Sequence, residues 1–257
     1  MLLAIDAGNT NTVFAVFDGE KLAGQWRIST DANRTADEYA VWLLQLMQLT
    51  GIKQSTVKAA ILASVVPQTW FALRTLCRTY FHTELLIVGQ PGVKTGVGVK
   101  VDRPSEVGAD RIVNAAAAWR RYKQPLIVVD FGTATTFDVV NEKGDYIGGV
   151  IAPGINLSLA ALHKAAAKLP NVAITKPAKV IGTETVGAMQ SGIYYGYVGL
   201  IEGIVARIRE EYGQKAMKVI ATGGLAPLYA KATSVIEHLE PDLTIVGLKE
   251  IYQMNHT

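Results

Sequence analysis

Two short segments of this chain combine an aspartate, a glycine and small polar side chains directly after an apolar run. They are Asp6-Ala7-Gly8-Asn9-Thr10-Asn11-Thr12 and Asp130-Phe131-Gly132-Thr133-Ala134-Thr135-Thr136. Glycine lets a backbone approach an anion closely with its N–H groups, and threonine and asparagine add neutral donors. An aspartate does not bind phosphate directly, but it can hold a hydrated Mg²⁺ that does. Both segments therefore predict phosphate-binding turns that close on one polyphosphate, with Asp6 as a candidate Mg²⁺ ligand.

A third glycine-rich segment is Ala221-Thr222-Gly223-Gly224-Leu225-Ala226-Pro227, which follows an apolar run and precedes a helix-like stretch. Its backbone can lie flat against an aromatic base or cradle a phosphate. An ordinary strand-to-helix turn is the alternative, and it would be preferred if this segment stood alone. Beside the two aspartate-containing turns, a nucleotide-binding role is the better interpretation.

The segment Gly108-Ala109-Asp110-Arg111 places an acid beside a base at the start of a predicted helix. One interpretation is a helix cap with a surface ion pair. The other is a general base next to an anion binder. A hydroxyl that attacks a γ-phosphate needs an acceptor for its proton, and aspartate has that role in other phosphoryl-transfer enzymes. Arginine suits a substrate carboxylate because it binds it through two parallel hydrogen bonds.

The elements that must position these segments form a pattern that occurs twice. Strands are predicted at 2–6, 12–17, 22–29, 59–65 and 85–88 in the first copy, and at 126–130, 135–140, 146–151 and 219–221 in the second. Helices are predicted after the capping box Thr35-Ala36-Asp37-Glu38, over 69–81, 109–122, about 157–168 and 186–212, and from 227. The sequence therefore predicts a duplicated α/β chain with domains at 1–122 and 123–257, and the irregular stretch 90–107 is a candidate functional loop.

Composition limits the class of protein. The chain has 257 residues, of which 49% are hydrophobic and 18% charged, so it can bury a core and is not mostly disordered. A net charge of only +3, with scattered basic residues, argues against a broad nucleic-acid footprint. The single cysteine, Cys77, excludes an internal disulfide and a multi-cysteine metal site. With neither a signal peptide nor a membrane-spanning run recognisable, the sequence predicts a cytoplasmic globular protein.

The four segments at 6–10, 108–111, 130–135 and 221–225 together resemble, in that order, the motifs of the type III pantothenate kinase family. The resemblance extends over nearly the whole chain. It implies two duplicated ribonuclease-H-like domains with a cleft between them, the fold of the actin-like ATPase superfamily. It also implies the ATP-dependent phosphorylation of pantothenate, the first step of coenzyme A biosynthesis. One position departs from the pattern, because Val101 stands where many members have tyrosine.

The resemblance further implies a role for individual residues. Residues Asp6 to Val13 would bind the phosphates of ATP, and Thr133 would contact ATP. The pantothenate site would be lined by Gly108, Ala109, Asp110 and Arg111. Asp110 would be the proton acceptor, and Thr185 would contact the same substrate. Asp130 would hold a monovalent cation, K⁺ or NH₄⁺. The family is dimeric, and its pantothenate site forms at the subunit interface.

Two other classes of protein remain open at this level. A non-catalytic regulator on the same scaffold is one, since some relatives were first described as accessory factors for transcription. An actin-like or chaperone-like ATPase is the other, although 257 residues leave little room for its additional subdomains. Asp110 and Arg111 distinguish the kinase, because a regulator needs no base beside a carboxylate binder.

Overall fold

The structure of the chain is a computed structural model that describes residues 1–166, 169–213 and 216–256. It divides into two compact units, one made of Met1–Arg121 with Leu243–Thr257 and the other of Tyr122–Asp242. Each unit contains a five-stranded mixed sheet with helices packed on it. The predicted α/β class is confirmed.

Unit 1 opens with the predicted β-meander. Its strands are β1 (Leu2–Ala7), β2 (Asn11–Asp18), β3 (Lys21–Ser29), β4 (Ala59–Ser64) and β5 (Leu85–Ile87). Its helices are α1 (Ala36–Leu49), α2 (Trp70–Tyr80) and α3 (Ala109–Tyr122, whose last residue belongs to unit 2). The sheet order is β3-β2-β1-β4-β5, with the meander antiparallel and β1, β4 and β5 parallel. The carboxyl ends of β1 and β4 therefore meet at one edge of the sheet.

Unit 2 repeats this architecture. Its strands are β6 (Leu126–Phe131), β7 (Ala134–Val140), β8 (Tyr146–Pro153), β9 (Lys218–Gly223) and β10 (His238–Leu239), and its helices are α4 (Ile155–Ala165), α5 (Thr185–Tyr212) and α6 (Ala226–Tyr229). The strand order is β8-β7-β6-β9-β10, and the strands run parallel or antiparallel to their neighbours in the same pattern as in the first sheet. The two meanders predicted from the aspartate-containing turns are thus equivalent. The predicted helix 157–168 begins two residues earlier, and its predicted end at Lys168 lies outside the described residues.

Local sequence accounts for several element boundaries. The predicted capping box is present, because the Thr35 hydroxyl accepts a hydrogen bond from the Glu38 N–H and the Glu38 carboxylate accepts one from the Thr35 N–H. At the end of α5, Gly213 adopts the left-handed conformation that terminates helices. The stretch 90–107 is irregular as predicted, apart from a short 3₁₀ turn at Pro104–Glu106.

The helix α7 (Leu243–Met254) was not identified from the sequence, and it packs on the sheet of unit 1. Its apolar side chains Ile245, Leu248 and Ile251 are buried in a cluster with β1, β2, β4 and α3. Lys249 is also buried and forms an ion pair with Glu20, in the turn after β2. The compact units therefore differ from the predicted domains in this helix, which the sequence placed with residues 123–257.

Candidate active site

The first predicted phosphate turn lies at the carboxyl end of β1. Ala7 pairs with Thr12 across the meander, and four residues between them form the turn. The N–H of Gly8 donates to the carbonyl of Asn11 at 3.0 Å and closes the turn. Asn9, Thr10 and Asn11 are exposed, whereas Thr12 and Val13 are buried. The exposed part is therefore the part available to a ligand, and the buried residues position it.

Asp110 lies in the first turn of α3, and its carboxylate is packed against backbone. The backbone N–H of Arg111 donates to Asp110 Oδ1 at 2.8 Å. A side chain at Gly108 would begin 2.6 Å from the same oxygen, so only glycine leaves room for the carboxylate in this position. Ala109 and Arg111 flank Asp110 and are half-buried.

The electrostatics of Asp110 follow from this burial. Desolvation raises the pKa of its carboxyl, while the hydrogen bond from the Arg111 N–H and the Arg111 charge lower it; the desolvation effect is the larger. A carboxylate with a raised pKa holds a proton more strongly than an exposed one does.

Val65, just after β4, joins the first turn to the Asp110 segment. Its N–H donates to the carbonyl of Ala7 at 3.1 Å. Its Cγ1 lies 3.2 Å from the point where a Cβ of Gly108 would be. The structure thus brings the Asp6 turn and the Gly108–Arg111 segment together at one edge of the unit 1 sheet. The sequence did not identify Val65, and an apolar residue after a strand carries no signal of such a role.

The second predicted phosphate turn occupies the equivalent place in unit 2. Phe131 pairs with Thr135, with three residues between them, and the N–H of Gly132 donates to the carbonyl of Ala134 at 3.0 Å. Gly154 approaches this turn so closely that a Cβ there would be 2.1 Å from the Thr133 carbonyl oxygen. The start of α4 is thereby held against the turn. The sequence did not single out Gly154.

The predicted pair Gly223-Gly224 ends β9 and packs against Asp130. Gly223 has a φ of +92°, which disfavours any other residue. A Cβ there would meet Asp130 Oδ1 at 2.6 Å and the Phe131 N and O atoms at 2.7 Å. At Gly224 a Cβ would meet nothing within 4 Å. The two glycines therefore differ, because only Gly223 is required by the contact with Asp130.

A groove of about 460 Å³ opens beside this glycine pair in unit 2. Its lining is largely apolar, with the side chains of Asn156, His163 and Asn171 as its polar groups. His163 Nδ1 lies 2.6 Å from the Leu169 carbonyl oxygen, and the side chain is exposed, as expected for a histidine on a helix surface.

Thr185 is the exposed first residue of α5. The preceding residue, Glu184, caps the helix by accepting hydrogen bonds from the N–H groups of Val186 and Gly187. Gly182 packs directly on α5, since a Cβ there would be 2.3 Å from the Ala188 nitrogen. Thr185 thus lies at the capped start of α5 in unit 2, which also contains Asp130, Thr133 and the glycine pair, whereas Asp6 and Asp110 belong to unit 1.

The carboxylates of Asp6 and Asp130 each fit a cation whose other ligands do not come from the protein. Within the described residues, no group of three or more His, Cys, Asp or Glu side chains is arranged to hold a metal. Mg²⁺ in phosphoryl-transfer sites keeps several waters and is held by one or two carboxylates and the substrate phosphates, so Asp6 alone fits that chemistry. Asp130, cradled by the backbone at Gly223, fits a single-carboxylate site.

None of the described helices has the length and apolar character needed to cross a bilayer.

Comparison with known proteins gives a consistent result. A family model described as type III pantothenate kinase matches residues 2–207. A type III pantothenate kinase from Paramagnetospirillum magneticum is 63% identical over 257 residues, covering 100% of this chain and 98% of the relative. One from Rhodospirillum rubrum is 62% identical over 255 residues, covering 99% of each.

Among solved structures, a protein from Campylobacter jejuni described as a Baf family transcriptional activator superposes with a TM-score of 0.62. The two share 19% identity, over 99% of this chain and 98% of that one. An identity this low shows the fold alone. The fold is that of the actin-like ATPases, with two ribonuclease-H-like domains, as predicted.

Proposed function

The chain belongs to the type III pantothenate kinase family, and from this premise we propose that it transfers the γ-phosphoryl group of ATP to the primary hydroxyl of pantothenate, the first step of coenzyme A biosynthesis. The observation that carries the proposal is the half-buried Asp110 carboxylate, whose segment Val65 joins to the glycine-containing turn at Asp6. A base and a phosphate-binding turn at one sheet edge are the minimum that a hydroxyl kinase needs.

Asp110 is the general base of this reaction. Its carboxylate accepts the proton of the pantothenate hydroxyl as the hydroxyl oxygen attacks the γ-phosphorus, and ADP leaves with the electrons of the broken P–O bond. Burial supports this role, because it raises the pKa of Asp110 towards that of a working base. Arg111, the next residue, binds the pantothenate carboxylate, and Gly108 and Ala109 line the same site.

The proposed ATP contacts come from three segments of the chain. The phosphate-binding segment consists of Asp6, Ala7, Gly8, Asn9, Thr10, Asn11, Thr12 and Val13. The further ATP contacts are Thr133, Gly223 and Gly224. Support comes from the exposed polar side chains at 9–11 and from the open space at Gly224. Asp6 holds Mg²⁺ through water, and the ion supplies positive charge to the phosphates.

Asp130 holds the monovalent cation, K⁺ or NH₄⁺, which adds a fixed positive charge when bound. Support comes from Gly223, whose missing side chain leaves the space that the Asp130 carboxylate occupies. Thr185, exposed at the start of α5, contacts pantothenate. The kinase works in the cytoplasm.

The active form is a homodimer in which a second copy completes the pantothenate site. Large apolar side chains are exposed on unit 2 around α4 and the segment before α5, and they are Ile151, Leu157, Val180 and Ile181. Exposed apolar side chains on neighbouring segments are typical of protein interfaces. The stretch 90–107 and the tyrosine-bearing α5 are the other candidate contacts.

The decisive experiment is a coupled assay of ADP release with and without pantothenate, supported by mass analysis of the product. We expect ADP release to depend on pantothenate and the product to gain one phosphoryl group. A non-catalytic regulator of the same fold is the alternative, and it would release no ADP in response to pantothenate. A half-buried carboxylate with a raised pKa at Asp110 favours the kinase.

A further inference from the structure

Thr30, the residue after β3, makes three hydrogen bonds to the first turn. Its hydroxyl donates to the Gly8 carbonyl at 2.7 Å, and its backbone N–H donates to the Thr10 carbonyl at 2.9 Å. Its Oγ1 also lies 2.9 Å from Thr12 Oγ1. A hydroxyl has one proton, and that of Thr30 is directed to Gly8, so Thr12 is the donor in the third bond.

These bonds determine the direction of two backbone N–H groups. In a planar trans peptide the C=O and the following N–H point in opposite directions. The carbonyls of Gly8 and Thr10 point to Thr30. The N–H groups of Asn9 and Asn11 therefore point away from Thr30. Backbone N–H groups of a turn that point to the same side can form an anion-binding concavity.

This support is specific to the first turn. Thr12 is fully buried, and its hydroxyl is satisfied by Thr30. Thr135 occupies the corresponding position in the second turn, opposite Phe131 as Thr12 is opposite Ala7. Its hydroxyl is also buried, but it has no hydrogen-bond partner in the part of the chain that the structure describes. The two turns share a sequence pattern, but within the described residues a threonine side chain from the neighbouring strand is seen to hold a carbonyl of the first turn and not of the second.

We propose that Thr30 is a positioning residue for ATP, which orients the Asn9 and Asn11 N–H groups towards the nucleotide phosphates by holding the Gly8 and Thr10 carbonyls. The inference rests on the proposed role of residues 6–13 in ATP binding. It assigns to Thr30 an action through the turn, without contact between its side chain and the nucleotide.

The test compares Thr30→Val, which keeps the shape of the side chain and the backbone bond to Thr10, with Thr30→Ser, which keeps the hydroxyl. Thr56→Val is the matched control: Thr56 is half-buried like Thr30, lies in the same unit and donates to the Lys53 carbonyl at 2.6 Å. Two quantities are measured, the KM values for ATP and pantothenate, and the calorimetric affinity for a non-hydrolysable ATP analogue with Mg²⁺. Thermal unfolding of each variant checks the fold.

We expect Thr30→Val to weaken nucleotide binding and raise the KM for ATP by about 10- to 100-fold, with the KM for pantothenate unchanged. Thr30→Ser should remain within about threefold of the wild type, and so should Thr56→Val. If Thr30→Val does not fold, Thr30→Ala supplies the hydroxyl-free variant.

Unchanged nucleotide affinity in a folded hydroxyl-free variant would overturn the inference, since Thr30 would then only stabilise the meander. An equal loss in Thr30→Ser would overturn it as well. Failure of the proposed kinase function is a separate result, because wild-type protein would then release no ADP with pantothenate, while the calorimetric comparison would still report on Thr30.

Discussion

At the scale of single residues, Asp110 shows how the fold places a charge where it lowers stability. Burial raises its pKa above the ordinary value of 3.8. A carboxyl with a raised folded-state pKa stabilises the fold fully below its unfolded-state pKa, and this contribution is lost as pH rises through the folded-state pKa. We therefore expect the ionised Asp110 to destabilise the protein at neutral pH.

Asp110→Asn should consequently keep the fold and ATP binding but reduce kcat by about 10²–10⁴-fold, since the amide is close to isosteric and accepts no proton. Its melting temperature at neutral pH should be higher than that of the wild type, and the difference should shrink as the pH falls to about 4. Steady-state kinetics and thermal unfolding from pH 4 to 8 measure both effects. Asp18→Asn, at an exposed position in the same unit, is the control and should change neither. Near-normal turnover of Asp110→Asn would remove Asp110 from the mechanism.

Arg111 offers a second prediction at this scale. Arg111→Lys keeps the positive charge but loses the two parallel hydrogen bonds to a carboxylate. Binding that is equal in the ground and transition states affects KM rather than kcat. We expect the KM for pantothenate to rise more than kcat falls, with the KM for ATP unchanged, in initial-rate measurements. A fall in kcat at unchanged KM would contradict a carboxylate-binding role.

At the scale of elements, the backbone at the end of β9 packs against Asp130, the candidate ligand of the monovalent cation. Gly223→Ala would place a Cβ against Asp130 and Phe131 in a backbone conformation that alanine disfavours. We expect a loss of about 1–3 kcal/mol in unfolding free energy and a reduced activation by K⁺ or NH₄⁺. Gly224→Ala, one residue later with open space, is the matched control for stability and for the K⁺ response. Because Gly224 is itself a proposed ATP contact, the K⁺ response of both variants is compared at saturating ATP.

Chemical denaturation and ADP-release assays at several K⁺ concentrations measure these two effects. If Gly223→Ala and Gly224→Ala behaved alike, the close contact at Asp130 would have no consequence for either stability or the cation. A K⁺ response that survives in a destabilised Gly223→Ala variant would argue against Asp130 as the cation ligand.

At the scale of the whole molecule, the proposed homodimer predicts that an apolar residue of unit 2 is buried by a second copy. Ile181 is 82% exposed in the single chain, and Phe71, in unit 1, is 83% exposed. Ile181→Asp should shift the protein to the monomer and weaken pantothenate use before ATP binding, because a charge at an interface between copies loses its hydration. Phe71→Asp should remain dimeric.

Sedimentation velocity at several concentrations, run beside the kinetic assay, separates the outcomes. Full activity of a proven monomer would reject a pantothenate site that is shared between copies, though not the kinase activity itself. Dissociation of Phe71→Asp but not of Ile181→Asp would move the interface to unit 1.

The sequence by itself determined the features that local physics controls. The alternation of apolar runs, the capping box at Thr35 and the paired Asp-x-Gly turns each act over a few residues, so the meanders, most helices and the duplication could be predicted. The residue types of the candidate site could be predicted for the same reason, since Gly108 stands two residues before Asp110 and the Gly223-Gly224 pair stands between an apolar run and a helix-like stretch.

Only the tertiary structure decided which separate segments meet. The helix α7 packs on unit 1 because its apolar side chains are buried there, and sequence distance alone placed it with residues 123–257. The roles of Val65, Gly154 and Thr30 also arise from contacts between residues far apart in the chain. A threonine after a strand is ordinary in sequence, and it becomes a support for the first turn because the antiparallel meander brings it next to Gly8, Thr10 and Thr12.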